Sequence, residues 1–143
     1  MGNNLKFTNN SFIKCVSATS SIPANTRYDI LPSTSIKKRI YGISLTTNEN
    51  AIQTIKLYLN DGSAVYQVFI FSLPAGSGTN GTAAALDVFA SSLPQSIFQK
   101  MRDNNGMAYF NLPGNWSIQI EFNTAIGAGE SINSFVFGEE FYP

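Results

Sequence analysis

The chain has 143 residues, with nine Lys+Arg against nine Asp+Glu, no His and a single Cys. A net charge of zero argues against a nucleic-acid binder, which concentrates basic charge on one face, and against a polybasic membrane anchor; the lack of His and of a second Cys removes Ser-His-Asp and Cys-His catalysis, thiolate zinc sites and an intrachain disulfide. Charged residues make up 13% of the chain and Ser, Thr and Asn 41 of its 143 residues, so neutral hydrogen-bonding groups keep it in solution, and a surface of that kind at zero net charge tends to associate.

Residues Met1 to Phe7 lack the apolar stretch of a secretory leader. No apolar run approaches the roughly 18 residues of a membrane span. The expectation is a chain made and kept in a cytoplasm, or in a particle assembled there. Phe12 to Val16 alternate as a strand, with Cys15 as a small strand residue. Ser17 to Ser35 are rich in Ser, Thr, Pro and Asn, with Tyr28, Ile30 and Leu31 as an apolar cluster. This stretch reads as an extended arm that drapes over a neighbour. The expected division is therefore a strand and polar arm over 1–36 and a sandwich core over 37–143, within one domain.

From Lys37 onward the period is two. Tyr41, Ile43 and Leu45 alternate with Ile40, Gly42 and Ser44; Ile55, Leu57 and Leu59 alternate with Thr54, Lys56 and Tyr58. Asn60-Asp61-Gly62-Ser63 reads as a hairpin turn, because Asp-Gly tolerates the positive φ angles of a type I′ turn. Val65 to Phe71 is apolar except for Gln67 and reads as a strand buried on both faces. Pro74 to Thr82 is a Gly-rich loop. Ala83 to Ala90 and Ser96 to Arg102 each suit a short helical turn. Asn104-Asn105-Gly106 and Pro113-Gly114-Asn115 are turns. Trp116, Ile118, Ile120 and Phe122 share one face of a strand, and Ile132 to Phe137 is a last, aromatic-rich strand. The sum is an all-β, antiparallel, jelly-roll-like β-sandwich with one or two short helical turns.

Several segments invite chemistry and do not support it. Gly78 and Gly81 are followed by Thr82-Ala83 with no Lys, so no phosphate loop forms. The carboxylates have other duties: Asp61 and Asp103 in turns, Glu121 on a solvent face, Glu139 and Glu140 in a tail. Lys37-Lys38-Arg39 reads as a solvated strand start that guards an edge. Between Gly62 and Gln99 the single charge is Asp87. A long loop-rich stretch without charge suits a contact with protein better than bulk water. This singles out Ser77, Thr79, Asn80 and Thr82 as interface residues beside Tyr28, Ile30 and Leu31. Tyr58, which alternates outward, is the sugar-platform residue of a competing reading, a carbohydrate-binding module of a receptor-binding fibre.

The order of Tyr41-Gly-Ile-Ser-Leu-Thr-Thr-Asn-Glu-Asn50, Thr54-Ile-Lys-Leu-Tyr-Leu-Asn-Asp-Gly62, Leu73-Pro-Ala-Gly-Ser-Gly-Thr-Asn-Gly-Thr82, Leu112-Pro-Gly-Asn-Trp-Ser-Ile-Gln-Ile120 and Val136-Phe-Gly138 resembles small β-sandwich virion proteins of tailed bacteriophages. The resemblance spans roughly residues 38 to 138. It implies a non-enzymatic virion component, a capsid decoration, cement or auxiliary protein. Such a protein needs no cofactor. It would be a homo-oligomer meeting other virion proteins, the major capsid protein first, and neither nucleic acid nor membrane.

Overall fold

The computed structural model describes residues 9–79, 83–88, 101–102, 105 and 108–141. Among the described residues ten strands occur in chain order: β1 (Asn9–Ala18), β2 (Tyr28–Leu31), β3 (Lys37–Thr47), β4 (Gln53–Asn60), β5 (Val65–Leu73), β6 (Leu86–Asp87), β7 (Met101–Arg102), β8 (Ala108–Leu112), β9 (Ser117–Phe122) and β10 (Ile132–Phe141). The larger sheet runs β1-β10-β3-β8-β7, with β6 also on β3, and the smaller runs β2-β9-β4-β5. Every pairing is antiparallel. The chain crosses between the two sheets from β3 to β4, from β8 to β9 and from β9 to β10, while β4 and β5 stay in the smaller sheet as a hairpin, and the two antiparallel sheets make a β-sandwich.

Period-two patterning builds the core. Ile55, Leu57 and Leu59 from β4, Ile118, Ile120 and Phe122 from β9, and Ile132 and Val136 from β10 are buried. They meet Ile40, Ile43 and Leu45 of β3 in one apolar cluster. The segment read as an arm also contributes. Ile30 is fully buried and Leu31 nearly so, because β2 pairs with β9 as the edge of the smaller sheet. β1 pairs along its whole length with β10.

Three expectations change. The β3 alternation shifts phase at a bulge: Gly42 faces Phe137 and Ile40 faces Gly138, so Tyr41 is the extra residue. Ile40, not Tyr41, therefore points into the core. The β5 strand is buried on one face only: Phe69, Phe71 and Leu73 are buried, while Ile70 between them is 58% exposed. Among the described residues there is no helix: Leu86–Asp87, inside the first expected helical turn, pair with β3, and Met101–Arg102, inside the second, pair with β8. The rest of the second stretch lies outside the described residues.

The β4–β5 hairpin forms, with a four-residue connection in place of a two-residue type I′ turn. Gly62 adopts φ +95°. The Asp61 carboxylate accepts the Ser63 and Ala64 amides at 2.8 and 2.7 Å and the Tyr66 hydroxyl at 3.0 Å. Those bonds, the Ala64 amide first, hold that carboxyl below its usual range.

Candidate contact face of the larger sheet

The two outer faces of the sandwich differ in chemistry. The smaller sheet turns polar groups outward from β2, β4 and β9, and exposes Val65, Tyr66 and Ile70 on its edge strand β5. Gln119 donates to Asp29 at 2.9 Å, Asn60 to Gln119 at 3.4 Å, and Lys56 sits 3.8 Å from Glu121. Arg27 lies over the Tyr58 ring, 5.5 Å from its centroid.

The larger sheet turns rings and an aliphatic side chain outward. Ile13 of β1, Phe137 of β10 and Gly42 of β3 are register neighbours across three strands. Ile13 is 75% and Phe137 37% exposed. The tip of the Phe137 ring lies over Gly42, where an added Cβ would come 2.0 Å from a ring carbon. A glycine here lets the ring lie against the sheet. Beside it the bulge turns Tyr41 outward toward Tyr109, ring centroids 5.9 Å apart. Ile13, Tyr41 and Phe137 line a groove of about 390 Å³ with Ser11 and Glu139 at its polar margin.

Charge on this face is held in place. The Arg39 guanidinium packs on Tyr109 at 4.2 Å and Phe141 at 5.1 Å. Its register neighbour on β10 is Glu139. A hydrogen bond with Tyr41 is the main cause holding the guanidinium even more firmly charged than usual. Lys38 points the other way and is 3% exposed, donating to Thr34 Oγ1 at 2.5 Å and to the Ile36 carbonyl at 3.3 Å. Burial lowers its pKa and Glu140 opposes that. The basic triplet is thus no solvated edge guard: β3 is central, and of the three only Lys37 is exposed. Glu139 and Glu140 belong to β10, not to a tail.

The residues singled out from sequence lie elsewhere. Ser77 is fully buried; its hydroxyl donates to the Pro74 carbonyl at 2.7 Å and its carbonyl accepts the Thr47 amide at 2.9 Å. Thr79 is exposed, and its hydroxyl donates to the Thr47 carbonyl at 2.8 Å. This loop is therefore pinned to the end of its own β3. Asn80 and Thr82 lie outside the described residues. Ile30 and Leu31 are core residues, so a partner over β2 would meet their neighbours and not their side chains. Tyr58 is 9% exposed, and Arg27 holds the position a sugar would take over its ring. Trp116 packs against the core and stacks on Tyr66 at 6.1 Å.

Tyr28 is half-buried, its ring edge-on to Phe122 at 6.0 Å, and its hydroxyl is buried with no hydrogen-bond partner. Burial pushes the phenol pKa far above its ordinary value. Tyr28→Phe should therefore keep stability or raise it by about 1 kcal/mol, since it removes an unsatisfied buried polar group. Thermal unfolding of the two proteins tests this, and a loss above about 1 kcal/mol would show that the hydroxyl has a partner.

The contact face was missed because its signal is weak in one dimension. Phe135 and Phe137 share a parity opposite to Ile132 and Val136. A strand apolar on both parities reads as deeply buried until its sheet is known to have an open side.

No protein-family model matches the chain, and no curated protein matches it. Among solved structures it is similar to the "Cyanophage Pam1 capsid asymmetric unit", at 15% identity and a TM-score of 0.48, covering 99% of this chain and 91% of that one.

Proposed function

We propose that this chain is a structural component of a phage virion, associated with the capsid as a decoration, cement or auxiliary protein and acting by protein–protein contact. The observation that carries the contact reading is the Ile13–Phe137–Tyr41 face. It places exposed aliphatic and aromatic groups side by side, with the nearby guanidinium already held by rings. Interface centres are enriched in aromatic residues and Arg and depleted of free charge. The ordered motifs between residues 38 and 138 support the virion assignment. The partner is another virion protein, the major capsid protein first, or a further copy of this chain. A cement binds the assembled shell and not its dissociated parts, so it raises shell stability by mass action. This role requires no reaction and no cofactor.

The test is purified particles from the phage that carries the gene, made with the natural chain or with Ile13→Glu plus Phe137→Glu. Both positions are exposed, so the fold should survive, with circular dichroism as the check. The natural chain is expected in the particles, and the double variant is expected to fall at least tenfold in copy number. Each charge forced into a dry contact costs about the 1.4 kcal/mol that a tenfold change requires, or more. Particles that lack the natural chain would remove the virion assignment. Particles that keep the double variant at full copy number would remove this face as the contact.

A further inference from the structure

Three connections meet at one end of the sandwich, and the buried carboxylate of Glu49 sits among them. Glu49, in the 48–52 connection, is 3% exposed. Its carbonyl accepts the Gly76 amide at 2.9 Å, which ties in the 74–79 loop. Its amide donates to Thr47 Oγ1 at 3.1 Å, and that hydroxyl donates to the Ser131 carbonyl at 2.9 Å. Gln53 Nε2 donates to both Glu49 carboxylate oxygens at 3.2 and 3.1 Å and to the Thr124 carbonyl at 2.8 Å. Gln53 Oε1 accepts the Thr124 amide at 3.1 Å, which closes the link to the 123–131 connection.

Among the described residues the surroundings offer this carboxylate neutral donors and no cation. Gln53 and Thr47 favour its charge; Glu130, from the 123–131 connection, opposes it. The 74–79 loop and the rest of the 48–52 connection contain no titratable residue. On β4 the nearest cation, Lys56, lies on the outer face beside Glu121. On β6, Asp87 pairs with Ser44, three residues before Thr47.

We propose that Glu49 is a proton-controlled latch: protonated, it lets the three connections stay knitted, and ionised, it loosens them while the two sheets remain intact. A buried carboxylate that faces a like charge and has only neutral donors is costly to ionise. Burial, first, and Glu130 raise its pKa above the ordinary value, against the hydrogen bonds. The folded pKa is therefore higher than the unfolded one. The native state holds the proton more tightly, so this end is most stable below the ordinary carboxylate range. Stability is lost as pH rises from there through the raised value. This inference concerns the fold and does not rest on the contact face.

The experiment is amide hydrogen exchange on the full chain between pH 4.5 and 8, with protection factors corrected for intrinsic rates. The Thr47, Gly76 and Thr124 amides are expected to lose protection as pH rises, by up to about tenfold for each pH unit crossed between the unfolded and the folded pKa. The mid-sheet amide of Ile120 should hold. Glu49→Gln should abolish this pH dependence, and Glu130→Gln should move it to lower pH. If Glu49→Gln does not fold, the Glu130→Gln arm and a carbon-13 titration of the Glu49 carboxyl carry the decision. Parent amides that keep protection across the range, a Glu49 carboxyl titrating at its ordinary value, or variants with the parent's profile would each overturn the latch.

Discussion

Gly138→Ala is expected to destabilise the protein by about 3 kcal/mol, the upper end of what overpacking commonly costs. The bulge on β3 brings the Arg39 carbonyl oxygen within 2.0 Å of where a Cβ on Gly138 would stand. That obstacle is backbone in a paired central strand, so it cannot swing aside as a flexible side chain would. Relief would require breaking the pairing of β10 with Arg39 and Ile40. Gly62→Ala is the matched control. It suffers from a φ of +95° and has nothing within 4 Å, so its cost should stay near 1–2 kcal/mol, roughly that of a left-handed residue with a Cβ. Urea unfolding of both variants reads the difference in midpoint at constant slope. A Gly138→Ala protein as stable as Gly62→Ala would mean that the bulge is soft and that close approach is not what requires glycine there.

Phe122→Ala is expected to cost about 3–5 kcal/mol, the range for emptying a buried ring site. Phe122 is fully buried at the end of β9 and lies edge-on to Tyr28 from β2. Its pairing partner across β4, Ile55, is also fully buried and belongs to a central strand, so the cavity has little freedom to collapse. The same denaturant titration measures it. A loss below about 1.5 kcal/mol would show that β2 closes over the gap. Combining the substitution with Tyr28→Phe should be non-additive, because the two rings touch.

These two residues differ in how far a linear reading reaches them. Phe122 continues Ile118 and Ile120 on one parity, and that periodicity places it in a core without any knowledge of what lies opposite. Gly138 carries no such mark. Its role follows from the extra residue Tyr41 on β3, a strand about a hundred positions earlier in the chain. The same bulge reversed the reading of Ile40 and Tyr41 and turned Tyr41 into part of the exposed face.

Burial has the same asymmetry. Tyr28, Ile30 and Leu31 stand out as an apolar cluster in a polar stretch, and apolar clusters serve a protein's own core as readily as a partner. The pairing of β2 with β9 decides for the core. Ser77 looks like a neutral contact residue, and its bonds to Pro74 and Thr47 place it inside the loop's own frame. The Glu139–Glu140 pair looks like a tail, and pairing with Arg39 and Lys38 makes it a strand. Period-two alternation and Gly- and Asn-marked turns were enough to determine an all-β antiparallel sandwich, because each acts over a few neighbouring residues. Which residues stand together on an outer face, where strands bulge, and which carboxylate is buried with no cation among the described residues were decided only by the tertiary structure, because each depends on pairing between residues distant in the chain.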